Sequence, residues 1–468
     1  MTEHYDLIVI GAGPAGEKGA AKAAQYGKRV ALIERAPYLG GAGINTGTVP
    51  SKTLRESALY FSGLQQRGLY GIDYSLKNHL TVKDFTHRER IVVEQERKMV
   101  ADHVRRHHIS VIQGEASLKD AHTVHIQSDK DEQEISGEFI LIATGSSPHR
   151  PPEIPFDDEL ICDSDSILNL KFIPKTMAVV GGGVIGTEYA SIFRALGIHV
   201  TLIEREEQIV SFVDSEIRQR LTDQLTKLGL HFMFNARMTS VERHDDHVQL
   251  VLEKGDKLEV EVALISAGRR SNVRALGLEE VGVKLGQRGL ILVDETYRTN
   301  IPSIYAAGDV IGFPALASTS MEQARVAITH AFDLPYKENM SAVLPLAVYS
   351  IPETSLVGLT EDECKAKNIP YLVGRAYYKE NARGQIIGDM SGMIKLVFSP
   401  TDKKLLGAHI IGEQASELIH IAAHVMLVNG PIDEFIAAVY NYPTLSASYE
   451  TAAYDGLSNH ARWVEANK

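Results

Sequence analysis

Residues 5–35 read YDLIVIGAGPAGEKGAAKAAQYGKRVALIER, and residues 176–205 read TMAVVGGGVIGTEYASIFRALGIHVTLIER. The two stretches match element by element. Each opens on an apolar strand (7–10 and 178–180) and continues into G-x-G-x-x-G: Gly11, Gly13 and Gly16 in the first, Gly181, Gly183 and Gly186 in the second. A helical segment of small and apolar residues follows, closed by Gly27 or Gly197. A second strand then ends in Ile-Glu-Arg, with Glu34-Arg35 and Glu204-Arg205 in corresponding places. Each glutamate lies 23 residues after its first glycine. This spacing has a physical reason. The first glycine permits the tight strand-to-helix turn, the second lets backbone approach a pyrophosphate, and the third lets helix pack closely on strand. The helix start offers unpaired N–H groups and the positive end of its dipole to phosphate. Glu34 and Glu204, at the tips of the next strands, are placed to accept hydrogen bonds from ribose hydroxyls. A lone glycine fingerprint is weak, but two with strand, helix, second strand and terminal acid in register predict two dinucleotide-binding units.

Other segments arrange themselves around these units. Residues 138–145, EFILIATG, predict an apolar strand ending in Ala143-Thr144-Gly145, and residues 261–269, EVALISAGR, the corresponding segment of the second unit. Residues 301–312, IPSIYAAGDVIG, predict a strand ending at Gly308-Asp309. From about residue 345 the pattern changes to short alternating runs such as GMIKLVF and KLLGAHIIG, which predict an antiparallel sheet with helices over 415–430 and 444–457. The fold class expected is α/β, with two Rossmann-like domains and a C-terminal α+β domain. The expected boundaries are 1–148 with 271–344, then 149–270, then 345–468.

Composition excludes several classes. With 468 residues, 44% hydrophobic and 23% charged, the chain reads as an ordinary globular protein of about three domains. The net charge of −12 argues against nucleic acid and anionic membrane surfaces as partners. Uninterrupted apolar stretches fall far short of the roughly 20 residues of a membrane helix. The start, MTEHYDLIVIG, has no basic n-region, and we read the chain as cytoplasmic and unprocessed. Cys162 and Cys364, the two cysteines, suit neither a disulfide framework nor a metal-ligand spacing. No metal site is expected. His103, His107 and His108, in RKMVADHVRRHH, read as a solvated helix face; Tyr349 and Tyr377-Tyr378 read as core or interface residues.

Taken together these residues resemble the pyridine nucleotide–disulfide oxidoreductase family over essentially the whole chain, including the IPETSLVGLTE segment at 351–361. The resemblance implies FAD in the first unit, NAD(H) or NADP(H) in the second, and a homodimer built by the C-terminal domain. It places at the FAD Gly11, Gly13, Gly16, Glu34, Arg35, Gly41, Gly47, Thr48, Lys52, Gly114, Ala116, Ala143, Thr144, Gly145, Gly308, Asp309, Leu316 and Ala317. At the nicotinamide nucleotide it places Gly181, Gly183, Val184, Ile185, Gly186, Glu188, Glu204, Arg205, Gly268 and Arg269. Lys52 aligns with the family lysine beside flavin N5. Glu188 aligns with the glutamate that pairs with that lysine and meets the nicotinamide carboxamide. These two are the expected catalytic residues.

The departures from the family pattern are as informative. In disulfide reductases the stretch matching GGAGINTGTVPSK (40–52) carries Cys-x4-Cys, and here those positions are Gly43 and Thr48. A thiol–disulfide relay needs sulfur that can cycle through thiolate and mixed-disulfide states, which neither residue supplies. The family's C-terminal His and Glu, which would act from the partner subunit, are replaced at Tyr442, beside Pro443, and at Ala447. A phenol with an ordinary pKa near 10 is a poor base at neutral pH. Disulfide reduction is therefore expected to be absent. Within the family, the GG…GT-x-PSK stretch, DSDSIL (163–168), EYASIFRALG (188–197), GDVIGFPALAS (308–318) and NYPT (441–444) most resemble the soluble, FAD-dependent transhydrogenase branch. That branch implies ping-pong hydride transfer between NADPH and NAD+ at a single nicotinamide site. A diaphorase or quinone reductase using the same sites, and a non-catalytic flavoprotein scaffold, stand as alternatives. The identical Ile-Glu-Arg endings favour NAD in the second unit, since a glutamate repels a 2′-phosphate, while Arg205 could turn to pair with one.

Overall fold

A computed structural model describes residues 3–63, 80–129 and 131–468. They form two compact units. The first comprises Met1–Thr53, Thr86–Arg150 and Ala267–Ser341; the second comprises Leu54–Phe85, Pro151–Ser266 and Ala342–Lys468. No helix among the described residues is long and apolar enough to cross a membrane.

The first unit is built on a sheet in which Glu3–Ile10 lies between Val30–Glu34 and Glu132–Ile142, both parallel to it. Ser110–Gln113 extends one side, and Ile304–Ala306 pairs in parallel with Glu132–Ile142. Two antiparallel strands, Thr123–Gln127 and Glu115–Leu118, complete it. Side chains alternate across the strand. Leu7 and Val9 pack with Ala20, Ala324 and Ile328 of the helices α1 (Pro14–Gln25) and Ala317–Ala331. Ile8 and Ile10 pack on the opposite face with Val124, Ile126 and Ile291. Burial on both faces explains why the strand reads as an unbroken apolar run.

The second unit contains a five-stranded parallel sheet ordered His231–Met233, His199–Ile203, Thr176–Val180, Val262–Ile265, Ile161–Cys162. A small antiparallel sheet (Met238–Arg243, Val248–Leu252, Lys257–Val260) adjoins it in sequence. The C-terminal part is a five-stranded antiparallel sheet ordered Leu346–Val348, Thr354–Gly358, Leu405–Ile411, Met393–Phe398, Leu372–Tyr377. Both expected C-terminal helices are present with shifted ends. The first, Ala415–Leu427, stops where the Gly430 N–H closes back on the Val425 carbonyl. The second begins at Ser448, because Asn381 Nδ2 binds the Thr444 carbonyl and residues Leu445–Ala447 form a 3-10 turn. It runs on to Ala466 through a stretch free of proline and glycine after Gly456.

An ion cluster around a buried Lys395–Asp214 pair organises this unit. Lys395, fully buried, reaches Asp214 Oδ1 at 2.7 Å, Glu361 Oε1 at 2.5 Å and Glu216 Oε2 at 3.2 Å. Asp214 also caps the helix α6 (Ser215–Leu228) by accepting the Glu216 and Ile217 N–H groups. Burial pushes the Asp214 carboxyl up, but His409, Lys395 and the Glu361 N–H outweigh it and hold the carboxyl below the usual carboxylate range.

Candidate functional site

The two glycine fingerprints fold into superimposable local geometry. Gly11 takes φ +99° and Gly181 φ +104°, a region that side chains avoid. Each first glycine donates its N–H to the strand that carries the terminal glutamate: Gly11 to Ile33 O at 2.8 Å, Gly181 to Ile203 O at 2.9 Å. A Cβ on Gly11 would sit 2.5 Å from Ala143 O, and one on Gly181 2.6 Å from Ser266 O. On Gly16 or Gly186 it would fall 1.8 Å from the carbonyl of the first glycine. Gly13 and Gly183 cap their helices, α1 and α5 (Val184–Ala195), in the same extended conformation and without a capping side chain. The N–H groups at both helix starts are thus presented by bare backbone, as phosphate binding requires. Pro14 opens α1; Val184 and Ile185 open α5. These cradles fit dinucleotide phosphates by shape.

The glutamates agree as closely. Glu34 accepts N–H bonds from Ala12 and Ala36, each at 2.8 Å, so its carboxylate ties the fingerprint loop to the strand tip. Glu204 does the same with the N–H groups of Gly182 and Glu206. Arg35 and Arg205 lie exposed beside them, Arg35 3.8 Å from Glu115 and Arg205 3.2 Å from Glu206.

The surroundings of the second glycines differ. In the first unit the Gly40-Gly41 turn crosses Gly13: a Cβ on Gly41 would lie 2.7 Å from Gly13 Cα, and one on Gly43 3.0 Å from Pro14 Cγ. The turn is held by Asn45 Nδ2, which donates to Leu39 O and Gly41 O. Asn45 is held in turn by Arg97 Nε at 2.6 Å, and the Arg97 guanidinium lies over the Tyr38 ring. A Cβ on Gly13 itself would lie 3.8 Å from Gly41 Cα, whereas among the described residues nothing lies within 4 Å of one on Gly183. Sequence reasoning did not single out Asn45 or Arg97, because their task is set by a long-range contact.

The remaining first-unit positions gather near the fingerprint. Gly114 donates to Glu34 O, and Ala116 is buried in the adjoining strand. A Cβ on Gly308 would lie 3.3 Å from Ala15 of α1. Asp309 Oδ2 accepts from Ser146 Oγ at 2.6 Å, and Leu316 and Ala317 begin the helix after it. Thr144, after Ala143 and before Gly145, is stitched to Asn272 by reciprocal bonds of 2.8 and 2.9 Å. Gly47 donates to Ala42 O, and Thr48 starts the helix α3 (Thr48–Ser62), which carries Lys52. Arg269 belongs to this unit too. Its Nε donates to Ser146 Oγ, its Nη2 to the Ser146 carbonyl, and Asp309 lies at 3.8 Å; Gly268 accepts from the His149 N–H. Ser146 and Asn272 thus organise the first unit without having been legible as site residues.

In the second unit Glu188 is buried on α5 and accepts the Tyr349 N–H at 2.8 Å. Burial, then the charge of Glu353, raises the Tyr349 phenol above its ordinary range. Tyr442 and Pro443 are exposed, Tyr442 by 83% of its surface. Both cysteines are free and buried, and burial pushes the Cys162 thiol up to about 12, so little nucleophilic thiolate forms at neutral pH. The histidine reading needs correction. His103 is half-buried and pairs with the buried Glu17 of α1, and His107 Nε2 lies 3.1 Å from His103 Nε2, so only His108 stays on the solvated face. The sequence could not show that α1 supplies a buried carboxylate opposite this turn.

Comparison with known proteins agrees with this architecture. Residues 5–331 match the profile of the pyridine nucleotide-disulphide oxidoreductases, and residues 344–453 that of their dimerisation domain. The chain belongs to the pyridine nucleotide-disulphide oxidoreductase family, whose members are FAD-dependent and use nicotinamide nucleotides. It is 44% identical over 456 residues to a soluble pyridine nucleotide transhydrogenase of Mycobacterium tuberculosis, covering 97% of each chain. It is 39% identical over 458 residues to one of Colwellia psychrerythraea, covering 97% of this chain and 98% of that one. The crystal structure of LpdA from Mycobacterium tuberculosis superimposes with a TM-score of 0.90 at 26% identity, covering 97% of this chain and 99% of that one. The HOCl-induced flavoprotein disulfide reductase RclA of Escherichia coli gives 0.86 at 27%, covering 96% and 99%.

Proposed function

We propose that this protein is a soluble pyridine nucleotide transhydrogenase that moves hydride between NADPH and NAD+ at one nicotinamide site, in alternate half-reactions. The observation that carries the reading is the pairing of two intact glycine cradles with Gly43 and Thr48, where a disulfide relay would need sulfur. When bound, FAD supplies the hydride-accepting and hydride-donating chemistry, while the chain supplies placement and electrostatics.

In this reading Gly11, Gly13 and Gly16 receive the FAD pyrophosphate and Glu34 orients its ribose end. Asp309, held by Ser146 and Arg269, faces the ribityl and phosphate region. Lys52 places positive charge beside the flavin ring. Gly181, Gly183 and Gly186 receive the pyrophosphate of either nicotinamide nucleotide, and Glu188 meets the carboxamide. Glu204 favours NAD(H), and Arg205 makes NADP(H) usable. The domain division is FAD-binding (1–148 and 271–344), NAD(P)-binding (149–270) and dimerisation (345–468). The protein works as a cytoplasmic homodimer in which exposed Tyr442 and Pro443 meet the partner subunit, and it does not reduce disulfides.

The test is anaerobic stopped-flow absorbance of the FAD-loaded protein. NADPH should bleach the flavin, and NAD+ added afterwards should restore it. Absence of bleaching by either reduced coenzyme would remove the reading. Bleaching reversed by a quinone but not by NAD+ would favour a diaphorase.

A further inference from the structure

We infer that Arg55 and Glu353 are positioning residues for the nicotinamide site: they hold residues 349–351 so that the Tyr349 N–H fixes the Glu188 carboxylate. This rests on the role proposed above for Glu188.

Residues 349–351 form a short strap after the strand Leu346–Val348, and their peptide groups are bound on two sides. Towards α5, Tyr349 N donates to Glu188 Oε1 at 2.8 Å, and Ile351 N to Ser191 Oγ at 3.1 Å. The Ser191 hydroxyl in turn donates to the Glu188 carbonyl at 2.7 Å. Towards α3, the Ser350 carbonyl accepts from Arg55 Nε at 3.0 Å. Arg55 Nη2 lies 3.2 Å from Glu353 Oε1, and both side chains are buried. Glu353 Oε2 then accepts the N–H and hydroxyl of Ser416, at 3.1 and 2.9 Å, on the helix Ala415–Leu427. One guanidinium therefore grips the strap at its middle carbonyl and at the carboxylate three residues on.

The chemistry favours arginine for this task. Its fork serves a carbonyl and a carboxylate in fixed relative directions, which a lysine ammonium cannot do from one nitrogen. Ion pairing buried this deeply is a poor source of stability against an apolar alternative, so its use here points to geometry. Glu188 is itself buried, and its acceptor geometry is set partly by an N–H on the strap. A displacement of that N–H moves the carboxylate, and small misplacements of a group that meets a substrate carry large rate penalties.

The test uses the FAD-loaded protein with R55K and E353Q, alone and combined with E188Q. Amide hydrogen exchange resolved at Tyr349 should quicken about tenfold in R55K and E353Q, with exchange in the strand Leu405–Ile411 unchanged. Flavin reduction by NADH in single turnover should slow about tenfold in R55K and E353Q, with FAD content retained. In the E188Q background the same changes should slow reduction less than about twofold, because they act through Glu188. Unchanged exchange at Tyr349, or exchange quickened equally in the core strand, would overturn the inference; so would an R55K penalty as large in E188Q as in the parent. A parent protein that no reduced nicotinamide bleaches would instead refute the proposed function, and the exchange data would still decide the strap.

Discussion

The two glycine fingerprints are alike to within a few degrees and tenths of an ångström, yet one is covered and the other is open. Across Gly13 lies the Gly40-Gly41 turn, clamped by Asn45 and Arg97, where a Cβ on Gly13 would touch Gly41 Cα at 3.8 Å; beside Gly183 a Cβ would meet nothing within 4 Å among the described residues. The covering turn is the segment that carries the cysteine pair in disulfide reductases. Here it keeps a backbone task after losing its sulfur. Under the proposed function, cradles alike in sequence hold different nucleotides, and the covering turn is what distinguishes the resident one from the exchanging one. A covered cradle suits a resident cofactor, and an open one suits substrates that come and go.

The largest effect should come from the third glycines. An added methyl meets a carbonyl oxygen at 1.8 Å in both units, so helix and strand must separate. G16A should yield protein largely free of FAD, read from the absorbance of the purified protein. G186A should keep its FAD while the KM for NADH rises about 100-fold or more. If both variants lose FAD, or both keep it, the two cradles are not assigned correctly.

Stability should separate the regions next. The first unit rests on apolar layers, whereas α6 of the second starts on the buried Lys395 cluster. K395M leaves Asp214 buried without its cation, while Glu216 and Glu361 keep Arg375, and should cost about 3–5 kcal/mol in denaturant unfolding. The cluster also gives the second unit acid sensitivity. Despite burial, His409 and Lys395 lower Asp214, and the hydrogen bond and charge of Lys395 lower Glu361. Carboxylates whose folded values are depressed contribute stability that is fully present above their unfolded values. That contribution should therefore hold at neutral pH and be lost progressively below about pH 4. The raised value of Lys395, set against burial by its bonds to Asp214 and Glu361, adds stability that is lost only under strongly alkaline conditions. Acid titration of K395M followed by circular dichroism should show this window flattened.

A smaller effect should follow from G183A, whose methyl enters the open space over α5. Folding should be unchanged and the KM for both nicotinamide nucleotides should rise about tenfold. The smallest should come from E206Q. Arg205 and Glu206 are exposed, and such pairs contribute about 1 kcal/mol or less. Freeing Arg205 should lower the KM for NADPH about two- to fivefold and leave that for NADH unchanged. An equal change for both coenzymes would show that Arg205 does not meet the 2′-phosphate.

The sequence displayed both cradles, their terminal glutamates and the missing sulfurs, because glycine geometry and strand periodicity are local. The apolar strands flanking the glycines announced the α/β class. What stayed hidden depended on partners far along the chain. His103 read as solvated until α1 brought Glu17 to it, and Lys395 sat in a strand pattern, MIKLVF, that gave no sign of three carboxylates around it. Arg269 read with the second unit, yet its guanidinium binds Ser146 and Asp309 in the first, since chain proximity to one fingerprint does not fix which unit a side chain serves. Tyr349 mattered through its backbone N–H, which no residue pattern reports.

The central claim is that the flavin is the sole redox group in the chain, and its electron capacity tests this most directly. A dithiol–disulfide couple would hold two electrons beyond those of the flavin. Anaerobic titration of the FAD-loaded protein with NADPH should bleach the flavin completely at one equivalent per FAD, and NAD+ should restore it in full. Consumption of a second equivalent before the flavin is fully reduced would contradict the account.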